Sequence, residues 1–337
     1  MALGLLQAGF RLGLSFDLDP RAVETCAKNQ DHPCMQLDAR QVTGSELRRL
    51  ASVGSQEIDL FSGGPPCQGF SKQKRGAHLG DDRNTLVGEF ARLVDELRPR
   101  FFLLENVAIF GQKRGVRQLH DLHERLHARY ALIPAFYNCA DYGLAQKRER
   151  FILVGQREDV RGRFAPPMAT TPDRSVTVGS VLDGLPEPPA DYSDHPKFAN
   201  HQRARVTAIN IERFSHVPQG GGWQDIPHRL RLRCHQSVDT SSGGWPDVYG
   251  RLRWDGHCPT ITGGFDSFTR GRYGHPTSDR PLTPREAARI QGFPDNYVFA
   301  GTRADIRSQI GNAVPPPLAR AVGGAIISAL RGETCAL

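Results

Sequence analysis

Short apolar, β-rich runs alternate with amphipathic segments through the first half of the chain, and this alternation constrains the fold more than any other feature. Residues 11–16, 58–62, 101–105, 131–138 and 151–155 read as strands. Residues 21–28, 86–97 and 116–129 repeat their apolar positions at helical spacing, most clearly at Leu86, Val87, Phe90, Leu93, Val94 and Leu97. The alternation predicts an α/β domain on a doubly wound, mostly parallel sheet, with ligands at the carboxyl ends of the strands. Cys67 follows one such end and Glu105 closes another.

From about residue 165 the text becomes rich in Pro, Gly and Arg, including Pro186-Glu187-Pro188-Pro189 and Gly220-Gly221-Gly222. Few long periodic stretches survive there, so a smaller, loop-rich domain is expected over residues 165–300. Helical patterns resume at 284–291 and 317–330. The last is apolar enough for residues 301–337 to pack back on a first domain of residues 1–164.

Composition limits the function classes. The 337 residues are 39% hydrophobic and 23% charged, and no run approaches the roughly 18–20 apolar residues of a membrane span. No membrane partner is expected. Residues 1–6 lack the basic region and cleavage site of a secretory signal, so a cytoplasmic location is expected. A formal charge of +7 suits a polyanionic partner, although arginine-rich proteins that bind no nucleic acid share such an excess. Cysteines at 26, 34, 67, 139, 234, 258 and 335 form an odd set without the short paired spacings of a zinc site or a disulfide framework. Most are expected to be reduced, several buried, and no metal site is expected.

Three features carry chemistry. Cys67 lies in Gly63-Gly64-Pro65-Pro66-Cys67-Gln68-Gly69-Phe70-Ser71, where two prolines stiffen the loop and Gly69 admits a substrate closely. Glu105, at the end of an apolar strand, is a candidate for a carboxyl group with a raised pKa. Gln146-Lys147-Arg148-Glu149-Arg150 puts Arg148 and Arg150 on one side of an extended segment. Singly, each has an ordinary reading: a small buried hydrophobe, a helix cap, a solvated pair.

Their order along the chain resembles the DNA cytosine C5 methyltransferase family over nearly the whole length. The matches are Pro65-Pro66-Cys67-Gln68, Glu105-Asn106-Val107, the run from Gln146 to Arg150, the segment from Arg280 to Asp295, and Gln309-Ile310-Gly311-Asn312-Ala313-Val314-Pro315-Pro316. The resemblance implies a methyltransferase acting on double-stranded DNA with S-adenosyl-L-methionine, on a base turned out of the duplex. It gives Cys67 the attack on cytosine C6, Glu105 the protonation of N3, and Arg148 and Arg150 the bracing of loop and base. Thr260, with Gln146, Pro65 and Ser71, would hold the target nucleotide. Asp17 would bind the ribose hydroxyls and Leu18 would lie near the adenine. Asp38 and its neighbour Ala39 would meet the adenine amino group, and Pro66, Leu86 and Asn312 would line the rest of the cofactor pocket.

The resemblance also makes residues 165–300 the target recognition domain. Arg229, Arg231 and Arg233 near Trp223, then Arg251, Arg253, Arg270 and Arg272, are its candidate DNA contacts. Trp223 and Trp245 read as core anchors. A monomer is expected, acting as the modification half of a bacterial restriction-modification pair or as a solitary relative.

Two departures matter. Ala145 stands where the family pattern has proline. The family also begins with a strand and a turn of the form Asp-x-Phe-x-Gly-x-Gly-Gly, whereas this sequence begins inside the following helix, at residues 3–8. As it stands, the chain is expected to bind S-adenosyl-L-methionine weakly or not at all, with a start codon placed too far downstream as the favoured cause. The alternative function is an inactive DNA-binding pseudoenzyme. A tRNA cytosine methyltransferase ranks lower, because the Cys-Phe-Thr signature of that branch is absent.

Overall fold

A computed structural model describes residues 1–65, 86–236 and 247–333 of the chain. In chain order its elements are α1 (Ala2–Ala8), β1 (Ser15–Asp17), α2 (Pro20–Asn29), β2 (Cys34–Gln36), α3 (Gly44–Leu50), β3 (Leu60–Gly63), α4 (Leu86–Leu97), β4 (Phe101–Val107), α5 (Val116–Leu126), β5 (Tyr130–Asn138) and β6 (Glu149–Arg157). Then follow α6 (Val178–Leu182), α7 (Ala208–Ser215), α8 (Arg233–Gln236), α9 (Pro284–Ile290), α10 (Arg303–Asn312) and α11 (Pro316–Leu330). Local chemistry sets many of the boundaries. The Asp19 side chain accepts from the Arg21 amide with Pro20 at the first helical position of α2. Thr283 and Glu286 form a reciprocal capping box on α9, as do Thr302 and Asp305 on α10.

The chain forms two compact units: residues 1–139, 149–170 and 316–337 in one, 140–148 and 171–315 in the other. Only the boundary after residue 170 lies near the expected 164/165; residues 140–148, expected in the first domain, fall in the second unit, which also continues past residue 300 through α10, a helix that packs against α9.

The first unit is α/β, as expected. β1 pairs with β2 in parallel. A four-stranded sheet has the order β3-β4-β6-β5, with β3 and β4 parallel and β6 antiparallel to both its neighbours. The antiparallel step follows from the chain path, because β5 and β6 are consecutive strands that pair directly. β4 is buried along its first six residues. Its Phe102 and Leu104 pack with Val87, Phe90 and Val94 of α4 and Leu122 of α5, which places the core under the sheet. α1 lies on α11 so closely that a Cβ on Gly4 would come within 2.3 Å of the Pro316 carbonyl oxygen. No single described helix is long and apolar enough to cross a membrane.

The second unit has little regular structure, in line with its Pro- and Gly-rich text. Its core gathers Phe214, Val217, Trp223, Ile226, Tyr249 and Phe268. Trp223 is thus an anchor, while Trp245 lies outside the described residues. Arg280 grips Glu286 through two nitrogens, at 2.9 and 2.8 Å, and Glu187 through Nε at 3.0 Å.

One cysteine pair differs from expectation: Cys26 and Cys34 are joined in a disulfide. The eight-residue separation hides the pairing in the sequence. α2 turns back onto β2 and brings the two Cα atoms to 5.9 Å.

Candidate active site

β3 ends at Gly63, and Gly64 and Pro65 lead toward Cys67. Pro66, Cys67 and Ser71 themselves lie outside the described residues. What flanks them is well defined. The Asn106 amide nitrogen donates to the Pro65 carbonyl oxygen at 3.1 Å, tying the start of the loop to the residue after Glu105. A Cβ on Gly64 would stand 3.2 Å from Glu105 Oε2, so glycine lets the loop pass directly against that carboxylate.

Glu105 is 8% exposed and Arg150 7%. Arg150 Nε lies 2.8 Å from Glu105 Oε1, because β4 and β6 pair with Val107 opposite Arg150. Arg150 also donates to the Glu149 carbonyl oxygen at 2.7 Å.

Arg148, expected to face the same way, belongs to the second unit. It is 1% exposed and donates to the carbonyl oxygens of Ile261 (2.8 Å), Gly311 (2.8 Å) and Ala313 (3.0 Å). Gln146 lies in the same buried network, accepting from the Ile261 amide at 2.7 Å and donating to Gln291 Oε1 at 2.8 Å. Thr260 Oγ1 donates to the Lys147 carbonyl oxygen at 3.0 Å, and Tyr273 Oη to that of Thr260 at 2.7 Å. Gln146, Arg148 and Thr260 therefore share one scaffold. Gln291 and Tyr273, which sequence reading missed, complete it; Gln291 stands inside the quoted 280–295 motif, the one signal that could have found it.

Four of the expected cofactor residues, Asp17, Leu18, Asp38 and Ala39, lie at the ends of β1 and β2. The Leu37 amide donates to the Asp17 carbonyl oxygen at 3.1 Å and the Gln36 side chain to that of Leu18 at 3.2 Å, so the two strand ends are bound together. Leu18 is 57% exposed, a large apolar side chain open beside the Asp17 carboxylate. The protein packed around Asp17 pushes its pKa up, opposed by the Asp19 amide at 2.9 Å. Asp38 differs. Arg40 clasps both its oxygens, through Nε at 3.0 Å to each and a terminal nitrogen at 2.6 Å, and holds the carboxyl below its ordinary range. The Ala39 carbonyl oxygen accepts from Arg92 at 2.7 Å. Leu86 opens α4, half-buried. Asn312 belongs to the second unit, exposed, with its amide 3.3 Å from Ser308 Oγ.

The candidate DNA arginines sort by partner. Arg251 is buried, with Nε bound to the Val217 carbonyl oxygen at 2.6 Å and a terminal nitrogen to that of Phe214 at 3.0 Å. Arg231 bonds the Ile226 carbonyl oxygen, Arg272 that of Gly220, and Arg253 clasps Asp255. Arg270 is exposed, and the Arg229 side chain is 72% exposed with Glu212 at 3.7 Å.

A profile of the C-5 cytosine-specific DNA methylase family matches residues 1–328. The chain belongs to that family. This methylase is 35% identical over 332 residues to the Type II methyltransferase M.PspPI of Psychrobacter sp., covering 98% of the chain and 77% of the relative. It is 33% identical over 357 residues to the Type II methyltransferase M.XorII of Xanthomonas oryzae pv. oryzae, covering 98% and 82%. A solved structure described as a prophage-encoded DNA modification methyltransferase of E. coli superposes with a TM-score of 0.73 at 26% identity, covering 98% of this chain and 96% of that one. By family and relatives it is a DNA (cytosine-5-)-methyltransferase.

Proposed function

We propose that this methylase transfers a methyl group from S-adenosyl-L-methionine to C5 of a cytosine within a specific duplex sequence, through a covalent Cys67–C6 adduct on a base turned out of the helix. The observation that carries this is the buried Glu105–Arg150 pair, set against Gly64 and Pro65 two residues ahead of Cys67.

Cytosine C5 is too weak a nucleophile to take a methyl group unaided. Attack of the Cys67 thiolate on C6 breaks the C5–C6 double bond and pushes its electrons toward N3, where Glu105 donates a proton. C5 then carries the electron pair that forms the new carbon–carbon bond. Loss of the C5 proton restores the double bond and expels Cys67. Arg150 orients Glu105 and the base, while Arg148, bound to three backbone carbonyls, holds the loop that carries Thr260. Among the other described cysteines none competes for the attack: Cys139 and Cys258 are buried, with burial pushing the Cys258 thiol up, and Cys234 is exposed in the second unit.

The residues at the β1 and β2 ends fit an adenosine group, with an exposed leucine for a ring face beside a carboxylate for ribose hydroxyls. Asp17, Leu18, Asp38, Ala39, Pro66, Leu86 and Asn312 would hold the donor, which supplies an electrophilic methyl group. For Asp38 this requires Arg40 to release its carboxylate.

The second unit reads the DNA in this proposal. Arg229 and Arg270 serve as phosphate or base contacts, and Arg231, Arg251, Arg253 and Arg272 as framework. The relatives named Type II methyltransferases support a role as the modification partner of a restriction endonuclease, and in this reading the protein acts as a monomer. Bisulfite sequencing of DNA from cells expressing the protein tests the proposal. One short sequence context should show protected cytosines; their absence would sink it.

A further inference from the structure

Cys26 on α2, Cys34 at the start of β2 and His32 in the segment between them put their sulfur and ring nitrogen atoms within 4.8 Å of one another. All three residues are half-buried. His32 Nε2 lies 2.8 Å from Ser15 Oγ, which fixes the ring and leaves Nδ1 for a ligand. Ser15 is the strand partner of Cys34 in the β1–β2 register, so the hydroxyl that holds the imidazole is built into the wall that carries the thiol.

We propose that in the reduced protein the Cys26 and Cys34 thiolates and His32 Nδ1 bind one soft divalent cation of the Zn2+ type, with solvent as the fourth ligand. Two sulfurs and one nitrogen are a zinc-type donor set, and a tetrahedral shell needs neighbouring ligands roughly 3.5–4 Å apart, so the two sulfurs, bonded to each other in the disulfide, part to that distance on reduction while the ring nitrogen already lies within 4.8 Å of both. Binding displaces the two thiol protons. The disulfide engages the same two sulfurs, so oxidation and metal binding exclude each other. Ser15 acts in the outer shell, orienting the imidazole. The spacing Cys-x5-His-x-Cys does not announce such a site, because β2 rather than a short loop closes it.

The exposed His123–His127 pair on α5 is a second place where a cation could lodge, so the test is run on a chain carrying His123→Ala and His127→Ala. That protein is reduced with a phosphine, which consumes one water and yields phosphine oxide and two thiols, and is then titrated with Co2+ and displaced with Zn2+. The expected result is one equivalent per chain, with a thiolate-to-cobalt charge-transfer band that Zn2+ abolishes. Cys26→Ser/Cys34→Ser should lose the band, and Ser15→Ala should bind about 10- to 100-fold more weakly. The unreduced protein, folded and of identical sequence, should take up none at this site. Equal uptake before and after reduction, or a band that survives in Cys26→Ser/Cys34→Ser, would overturn the proposal. So would a reduced protein that binds no cobalt.

Discussion

Arg148 and Arg150 stand two residues apart on one extended segment, yet they meet different chemistry. Arg148 turns into the second unit and spends its donors on three neutral backbone carbonyls. Arg150 turns into the first and pairs with a carboxylate at a strand end. The kind of partner distinguishes the two roles. A guanidinium that satisfies buried carbonyls fixes a loop, and its energetic weight falls on folding. In the proposed mechanism, one that faces a buried acid orients that acid, and its weight falls on the reaction.

The largest effect expected is at the proposed nucleophile. Cys67→Ser should abolish methyl transfer while DNA binding measured by fluorescence anisotropy persists; transfer at the normal rate would leave the Arg150 side of the contrast without a reaction to support. Glu105→Gln comes next. It should slow single-turnover methylation by about a hundredfold or more, with a change below twofold counting against the acid role.

The arginines themselves provide the sharpest contrast. Lysine keeps the charge but lacks the fork that spans several acceptors. Arg148→Lys should therefore destabilise the second unit by about 2–3 kcal/mol, lowering its melting temperature by roughly 5 °C or more. Arg150→Lys can still present a point charge to Glu105 and should melt within a few degrees of the parent, while methylation slows. If both variants melt alike and react alike, the distinction fails.

How much of this was legible in the sequence depends on whether a feature is local. Helical spacing predicted residues 86–97, and α4 has those bounds, because its apolar face is continuous and buried. Residues 11–16 predicted a strand, but only Ser15–Asp17 is one: apolar runs report burial, and pairing needs a partner, here β2. Two-residue alternation put Arg148 and Arg150 on the same side, and it could not show that the chain passes from one compact unit to the other between Arg148 and Glu149. Asp38 was recognised by the match of Leu37-Asp38-Ala39 to a family position. Its engagement by Arg40 depends on rotamers, which no spacing encodes. The Arg280–Glu286 contact lies inside a motif that had been noticed, but Glu187, 93 residues away, is joined to it only by the fold.

The smallest effect expected concerns that third arginine cluster. Burial works to raise the Glu187 carboxyl, but bonds from Arg280 and Ser278 overcome it and bring its pKa from 4.5 down to about 2. A depressed carboxyl contributes stability that is complete above its unfolded pKa and is lost as pH falls toward the folded value. The difference in melting temperature between the parent and Glu187→Gln should therefore be constant above about pH 5 and shrink toward pH 2. A difference that grows on acidification would contradict the assignment.

The central claim, a covalent bond from Cys67 to the target base, is open to one direct measurement. A duplex containing the methylated sequence, with 5-fluorocytosine at the target position, is incubated with the enzyme and S-adenosyl-L-methionine. Fluorine cannot leave C5 as the proton does, so the adduct persists through denaturation. Mass spectrometry should find one DNA strand per chain, attached to the peptide that contains Cys67, and none on Cys67→Ser. An adduct on another residue, or one that forms equally on Cys67→Ser, would contradict the account.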